Sequence, residues 1–232
     1  MKNIKIFEDK YNACFDIALI LKKLNKEKAN IAISGGSSPI LLFEIMRNIF
    51  LPSDFINLKF FWVDERYVDV ESDQSNFGNF SRILIDSGII RKSNVFPMLK
   101  QTDQNKVILD SINNIKENVD FKNGYPSFDL VILGVGEDGH TASLFPNDLS
   151  KLDSNEIIIK TNHPKTNQTR LTLTKNVINN SKKIIFLALG ESKANIISQI
   201  LVNKNDALPA TAIKKDDDNL LWYLDKYSAS YL

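Results

Sequence analysis

A chain of 232 residues, 43% hydrophobic and 25% charged, has the composition of a globular protein with one large α/β domain or two small ones. Its formal net charge of +1, with acids and bases spread along the sequence, leaves no basic face for nucleic acid or an anionic membrane. One cysteine, Cys14, excludes an internal disulfide and fits a reducing, cytoplasmic setting. No apolar run reaches the roughly 20 residues of a membrane span, and Met1 to Ile6 lack the apolar core of a signal peptide.

Apolar, β-rich runs alternate with helical periods along the chain. A short strand is predicted near 3–7 and a helix near 9–27, where Tyr11, Cys14, Phe15, Ala18, Leu21 and Leu24 recur at i, i+3/i+4. Cys14 falls on this stripe, as a packed free cysteine does. A strand follows at 29–33, then a helix near 39–50 with Pro39 just inside its start, the position proline tolerates best. Leu58 to Val63 reads as a strand. Asn76 to Ser87, with Ser75 or Asn76 as cap, and Gln104 to Asn118 read as helices. Phe128 to Leu133 has too few polar positions for one wet face and reads as a buried strand. Ile157 to Lys160 and Arg170 to Thr174 are further short strands. Lys183 to Leu189 is another buried strand, Ser192 to Val202 a helix, and Leu220 to Leu224 a late strand. Lys214 to Asp218 reads as an exposed turn. This alternation predicts an α/β fold: a doubly wound, mostly parallel sheet with helices on both faces, and a small antiparallel addition. No repeat, linker or low-complexity tract divides the chain, so residues 1–232 are expected to form one domain.

Several strand ends carry residues unsuited to plain connections. Gly134-Val135-Gly136-Glu137-Asp138-Gly139-His140 closes the buried strand at Leu133. Glycine is costly to fix, so three in six positions point to a backbone bent where side chains would collide. Open α/β sheets bind their ligands at such carboxyl ends. His140, one of two histidines, is the best candidate for proton transfer near neutral pH, and Asp138 is close enough to orient its ring. Ser34-Gly35-Gly36-Ser37-Ser38-Pro39 runs from strand through glycine turn to helix. Its N–H groups and the helix dipole make an anion site; the plain alternative is a tight turn with a serine cap. The spacing fits neither the phosphate loop of nucleotide hydrolases nor the dinucleotide fingerprint.

Trp62-Val63-Asp64-Glu65-Arg66 brings three charges to the end of an aromatic strand. Asp64 and Arg66 are either a structural pair or an acid for substrate hydroxyls beside a base for substrate charge. Arg170 opens a β-like stretch and faces either a site or solvent. Lys193, in Gly190-Glu191-Ser192-Lys193-Ala194, opposes the dipole of the helix it starts unless an anion sits there. His163 precedes a proline and reads as a loop residue. No spacing resembles a metal site, and no Gly-x-Ser-x-Gly elbow marks a serine hydrolase.

Taken together, the Ser34–Pro39 turn, Trp62–Arg66, Ser75-Asn76, Gly134–Pro146, Arg170–Thr174 and Gly190–Ala194 resemble the 6-phosphogluconolactonase family, in that family's order and over most of the chain. Glucosamine-6-phosphate deaminase/isomerases share the glycine turn and the Asp-Gly-His core. They typically have a tyrosine where this chain has Arg66, and a glutamate after the histidine where it has Thr141-Ala142-Ser143-Leu144-Phe145. Both differences favour the lactonase. The other readings are an amino-sugar-phosphate isomerase or deaminase, and a non-catalytic sugar-phosphate sensor.

The resemblance implies a doubly wound α/β fold and hydrolysis of 6-phospho-D-glucono-1,5-lactone in the oxidative pentose phosphate pathway. It implies His140 as general base on water, its ring oriented by Asp138. A histidine's reference pKa of about 6.5 suits that task. Arg66 or backbone N–H groups of the glycine loops would stabilise the oxyanion. Arg170 and Lys193, with the turn at Gly35, Gly36 and Ser37, would hold the phosphate, and Asp64 would accept hydrogen bonds from sugar hydroxyls. The expected partner is a small phosphorylated sugar lactone, with no metal, organic cofactor, nucleic acid or membrane. A monomer or small homo-oligomer in the cytoplasm is expected.

Overall fold

The computed structural model describes residues 3–99, 104–215 and 217–232. Met1, Lys2 and Asp216, which entered the readings of the N-terminus and of the acidic turn, lie outside the described residues. In chain order the elements are β1 (Ile4–Phe7), α1 (Lys10–Leu24), β2 (Asn30–Ile33), α2 (Ser37–Ile49), β3 (Lys59–Trp62), β4 (Asp64–Arg66), α3 (Asn76–Phe80), β5 (Val95–Phe96), α4 (Gln104–Asn118), β6 (Phe121–Lys122), β7 (Tyr125–Pro126), β8 (Leu130–Leu133), β9 (Ile158–Asn162), β10 (Thr169–Leu173), α5 (Lys175–Asn180), β11 (Ile184–Ala188), α6 (Ala194–Leu201) and β12 (Leu220–Asp225).

Seven strands form one sheet in the order β1-β12-β11-β8-β2-β3-β5, and every neighbouring pair is parallel. β8 and β11 are buried at every position. Strands with no wet face need cover on both sides, which explains their unbroken apolar runs. From β2 the chain builds outward through β3 to β5. From β8 it builds the other way, through β11 to β12. The switch point therefore falls between β2 and β8, the place where open α/β sheets form a ligand crevice beyond the strand ends. The two loops that leave there are Ser34–Gly36 and Gly134–His140.

A second sheet, β4-β10-β9, is antiparallel throughout and is the small addition expected from the middle strands. Val63 joins it to the large sheet: its N–H donates to Ile33 O at 3.0 Å, and its carbonyl accepts from Leu173 N–H at 2.8 Å. One extended run, Lys59 to Arg66, thus serves both sheets.

Some elements differ from expectation for local reasons. α1 ends at Leu24, three residues short, because Asn25–Glu27 tightens to a 3-10 turn and Lys28 turns left-handed at φ 55°. Tyr11 is exposed, while Ala13, Cys14, Ile17, Ala18 and Leu21 make the buried face. α2 begins at Ser37, with Gly36 rather than a serine as its cap. The segment expected to be one helix over 76–87 is a short α-turn capped by Ser75, then a π-turn over Ser81–Ile85. α6 is preceded by a 3-10 turn at Glu191–Lys193. The short strands β4 to β7 and helix α5 are too brief for periodicity to reveal.

Candidate active site

The loop after β8 is tied by its own backbone. Gly136 N–H donates to His140 O at 2.8 Å and Gly139 N–H to Gly136 O at 3.0 Å, and the Thr141 hydroxyl donates to Gly134 O at 2.9 Å. This folding brings the Asp138 carboxylate to 2.5 Å from Nδ1 of His140. A carboxylate accepts, so Nδ1 carries the proton and Nε2 is left as the acceptor. Burial pushes the Asp138 carboxyl up, but the hydrogen bond and charge of His140 outweigh it and hold the pKa down at about 2.

The expected collisions explain two of the loop's three glycines. A Cβ on Gly136 would lie 2.1 Å from Nδ1 of His140, and one on Gly139 would lie 2.6 Å from Leu208. Gly134 is different, since a Cβ there meets nothing within 4 Å. Across the crevice, Gly35 is needed for a similar reason: its Cβ would fall 1.9 Å from Oδ1 of Asn76. Gly36, at φ 104°, turns the chain into α2. The first helical hydrogen bond there is Ile40 N–H to Gly36 O. The Ser37 and Ser38 N–H groups precede it, and the helix dipole adds to their pull on an anion.

β4 divides its three charges by face, as a strand must. Asp64 and Arg66 line the crevice, and Glu65 turns the other way. Asp64 is buried and does not pair with Arg66; its Oδ2 accepts from the Ser143 hydroxyl at 2.7 Å. Ser143 is held in turn by Thr172 and Thr161 on the small sheet. Glu65 is 1% exposed. It accepts from the N–H groups of Arg66, Asn76 and Phe77 at 2.7–2.8 Å and from the Ser75 hydroxyl at 3.3 Å. Burial raises its pKa to about 7, the three backbone donors limit the rise, and the Asp64 charge adds to it.

Arg170 lies opposite Arg66 in the β10–β4 register. Burial, then the neighbouring Arg66 charge, lowers the Arg170 pKa. Among the described residues, Arg66, Arg170 and Lys193 make no ion pair with a carboxylate. Three cations in one crevice, two of them adjacent, repel one another until an anion arrives. Four buried polar atoms of crevice residues also have no partner: Ser34 Oγ, Asn76 Oδ1, Arg66 Nε and Arg170 Nε. Buried orphans are rare and each calls for an explanation; a bound ligand supplies one for these four.

The crevice, of about 200 Å³, is lined by His140, Arg66, Gly35, Gly36, Ser37, Asp64, Arg170 and Lys193, with Asp138 behind His140. Every residue expected to have a role in the site is therefore at or against one crevice. Ser34, Asn76 and Ala142 also line it, and Ser143 and Glu65 support it. All five stand in the motifs that carry the resemblance, and Asn76 was a candidate helix cap, but sequence reasoning gave none of them a place in the site. Their spacing carries no signal, because their partners are distant in the chain. Ala142, at φ 53°, is a strained position of the kind found at functional sites. His163 is in the β9–β10 turn, its ring steeply inclined to that of Phe145, which in turn packs on His140. Among the described residues no cluster of His, Cys, Asp and Glu has the makings of a metal site, and no helix is long and apolar enough to cross a membrane.

The chain as a whole is similar to known proteins. The family model described as glucosamine-6-phosphate isomerases/6-phosphogluconolactonase matches residues 12–222. A 6-phosphogluconolactonase of Haemophilus influenzae is 33% identical over 218 residues, 92% of this chain and 91% of its own. The 6-phosphogluconolactonase 4 of Saccharomyces cerevisiae is 33% identical over 84% of this chain and 81% of its own. The crystal structure of 6-phosphogluconolactonase from Thermotoga maritima superposes with a TM-score of 0.83 at 30% identity, covering 97% of this chain and 99% of that one. A monomeric glucosamine-6-phosphate deaminase shares the fold, with a TM-score of 0.78 at 18% identity.

Proposed function

Because the chain belongs to the glucosamine-6-phosphate isomerase/6-phosphogluconolactonase family, we propose that its crevice hydrolyses 6-phospho-D-glucono-1,5-lactone to 6-phosphogluconate, a step of the oxidative pentose phosphate pathway. The observation that carries this reading is a histidine with a free Nε2, oriented by an ionised aspartate, beside three cations that make no ion pair with a carboxylate among the described residues.

In this reading, Nε2 of His140 takes a proton from water as its oxygen attacks the lactone carbonyl. The bond to the ring oxygen then breaks, and His140 returns the proton to that oxygen, which leaves as a hydroxyl. Asp138 keeps the imidazole in the one tautomer that can do this. Arg66 faces the negative charge that collects on the carbonyl oxygen. Arg170, Lys193 and the N–H groups of Gly36 and Ser37 grip the phosphate, with Gly35 keeping the turn close against Asn76. One oxygen of Asp64 is committed to Ser143, and the other accepts from a substrate hydroxyl. Water and side chains complete this chemistry without a metal or organic cofactor. We take residues 1–232 as one functional unit, a cytoplasmic monomer or small homo-oligomer.

The test is hydrolysis of freshly generated lactone by the unaltered protein beside His140→Ala, with the spontaneous rate subtracted. General-base catalysis of this kind is worth about 10²–10⁴-fold, and the variant should lose that much turnover while keeping its fold. Near-normal turnover in the variant removes His140 from the base role. No acceleration by the folded, unaltered protein overturns the lactonase reading.

A further inference from the structure

Glu65 has no part in the chemistry above, yet it is one of the most deeply buried charged groups in the molecule. Its carboxylate faces only donors. Oε1 accepts from Arg66 N–H and Asn76 N–H, and Oε2 accepts from Phe77 N–H and the Ser75 hydroxyl. Asn76 and Phe77 open α3, and Ser75 caps it by accepting from Gly78 N–H at 2.9 Å. A single side chain on β4 therefore fastens the first turn of α3 to the strand. The residue just before this turn is Gln74, whose carbonyl accepts from Nη1 of Arg66 at 2.6 Å. Among the described residues that is the one hydrogen bond the Arg66 guanidinium makes, and its Nε has none. The chain of contacts runs from Glu65 through Ser75 and Asn76 to Gln74, and from there back to the guanidinium one residue away on the same strand. It closes a ring around the loop 67–75.

We propose that Glu65 is a positioning residue for Arg66: by clamping the start of α3 to β4 it fixes the Gln74 carbonyl that aims the guanidinium into the crevice. An arginine side chain is long and rotamer-rich, so its head is aimed only where its supports are fixed. Arg66 has a single carbonyl and no carboxylate for this. The clamp also acts on Asn76, whose Nδ2 donates to Asp64 O at 2.9 Å and whose Oδ1 sits over Gly35. Two charged groups interact with Glu65 through space: Asp64, which opposes its ionisation, and Arg170, whose charge it favours. Neither pairs with it directly and Arg66 reaches it only through its backbone N–H, so its acceptor bonds hold it.

The inference rests on the lactonase reading and is tested by a double-mutant cycle in lactone hydrolysis. Glu65→Gln keeps the shape but turns one oxygen into a donor facing donors, which for a buried group costs roughly tenfold in the function that depends on it. It should shift the same kinetic parameter, KM or kcat, that Arg66→Ala shifts, and Glu65→Gln combined with Arg66→Ala should be no worse than Arg66→Ala alone. Ser75→Ala, which removes one donor to Glu65, goes through the same cycle and should give a smaller effect of the same kind, so the proposal stays testable if Glu65→Gln does not fold. Losses that multiply, or a Glu65→Gln enzyme equal to the unaltered one, overturn the proposal alone. Absence of hydrolysis by the unaltered protein overturns the lactonase reading and this proposal with it.

Discussion

The loop after β8 holds its acid near solvent, whereas β4 holds one away from it. Asp138 has a side chain 45% exposed, with one strong partner two residues along the chain. Glu65 is 1% exposed, and most of its partners come from a segment ten to twelve residues away. The first acid is held ionised by a histidine it orients. The second is pushed toward neutrality by burial and kept in place by backbone donors. Both stand beside one crevice, whose walls are built by two different devices: a glycine-rich loop that folds on itself, and a strand braced by distant parts of the chain.

Glycine substitution within the loop tests the first device most severely. Gly136→Ala places a methyl group where Nδ1 of His140 now lies, so the ring must move. A displacement of about 1 Å at a reacting group costs on the order of a hundredfold, and kcat should fall by about that factor. Gly134→Ala, where the added carbon meets nothing, should leave kcat within about twofold. Steady-state kinetics on the pair separates the two glycines. Equal losses would mean that the loop responds to backbone stiffness rather than to contact with the histidine.

A smaller effect is expected on the braced strand. Ser143→Ala removes the hydroxyl that fixes Asp64 and leaves a buried carboxylate oxygen without its donor. The loss of one such bond is worth about 1–3 kcal/mol where the acceptor is charged. If Asp64 reads substrate hydroxyls, the variant should raise KM about tenfold and narrow the preference among sugar epimers, with kcat less affected. Unchanged epimer ratios would show that Asp64 needs no help from the small sheet.

The same contrast explains what was legible in the sequence. The parallel sheet was readable because β2, β8 and β11 are short apolar runs punctuated by glycine; the switch point was not, because it depends on the order of the strands across the sheet, which chain order does not give. The loop was readable because its residues act on near neighbours: Asp138 and His140 are two apart, and Gly136 and His140 four. β4 was not. Its three residues showed that charge arrives at a strand end but not that Asp64 would bond Ser143, 79 positions on, or that Glu65 would accept from the first turn of α3. Arg66 and Arg170 meet only through an antiparallel register that neither segment announces. The serine reading of the α2 cap failed because Gly36 adopts a left-handed φ that frees Ser37 to begin the helix.

Titration acts on stability rather than on turnover and has opposite signs for the two acids. Asp138 has a folded pKa of about 2 against a reference of 3.8. Its contribution to stability is complete above about pH 3.8 and is lost as the pH falls toward 2. Because the group is nearly half exposed, solvent screening keeps that contribution below about 1 kcal/mol. Glu65 has a folded pKa of about 7 against 4.5. Folding favours its protonated form, so its contribution is complete below about pH 4.5 and erodes as the pH rises to 7. Thermal unfolding of the unaltered protein, Asp138→Asn and Glu65→Gln across this range reads both. The gap to Asp138→Asn should be flat at neutral pH and close in acid. The gap to Glu65→Gln should narrow between about pH 4.5 and 7 and then hold steady. A Glu65 curve that stays flat would put its four donors ahead of burial, and the two acids would then differ in exposure but not in charge state.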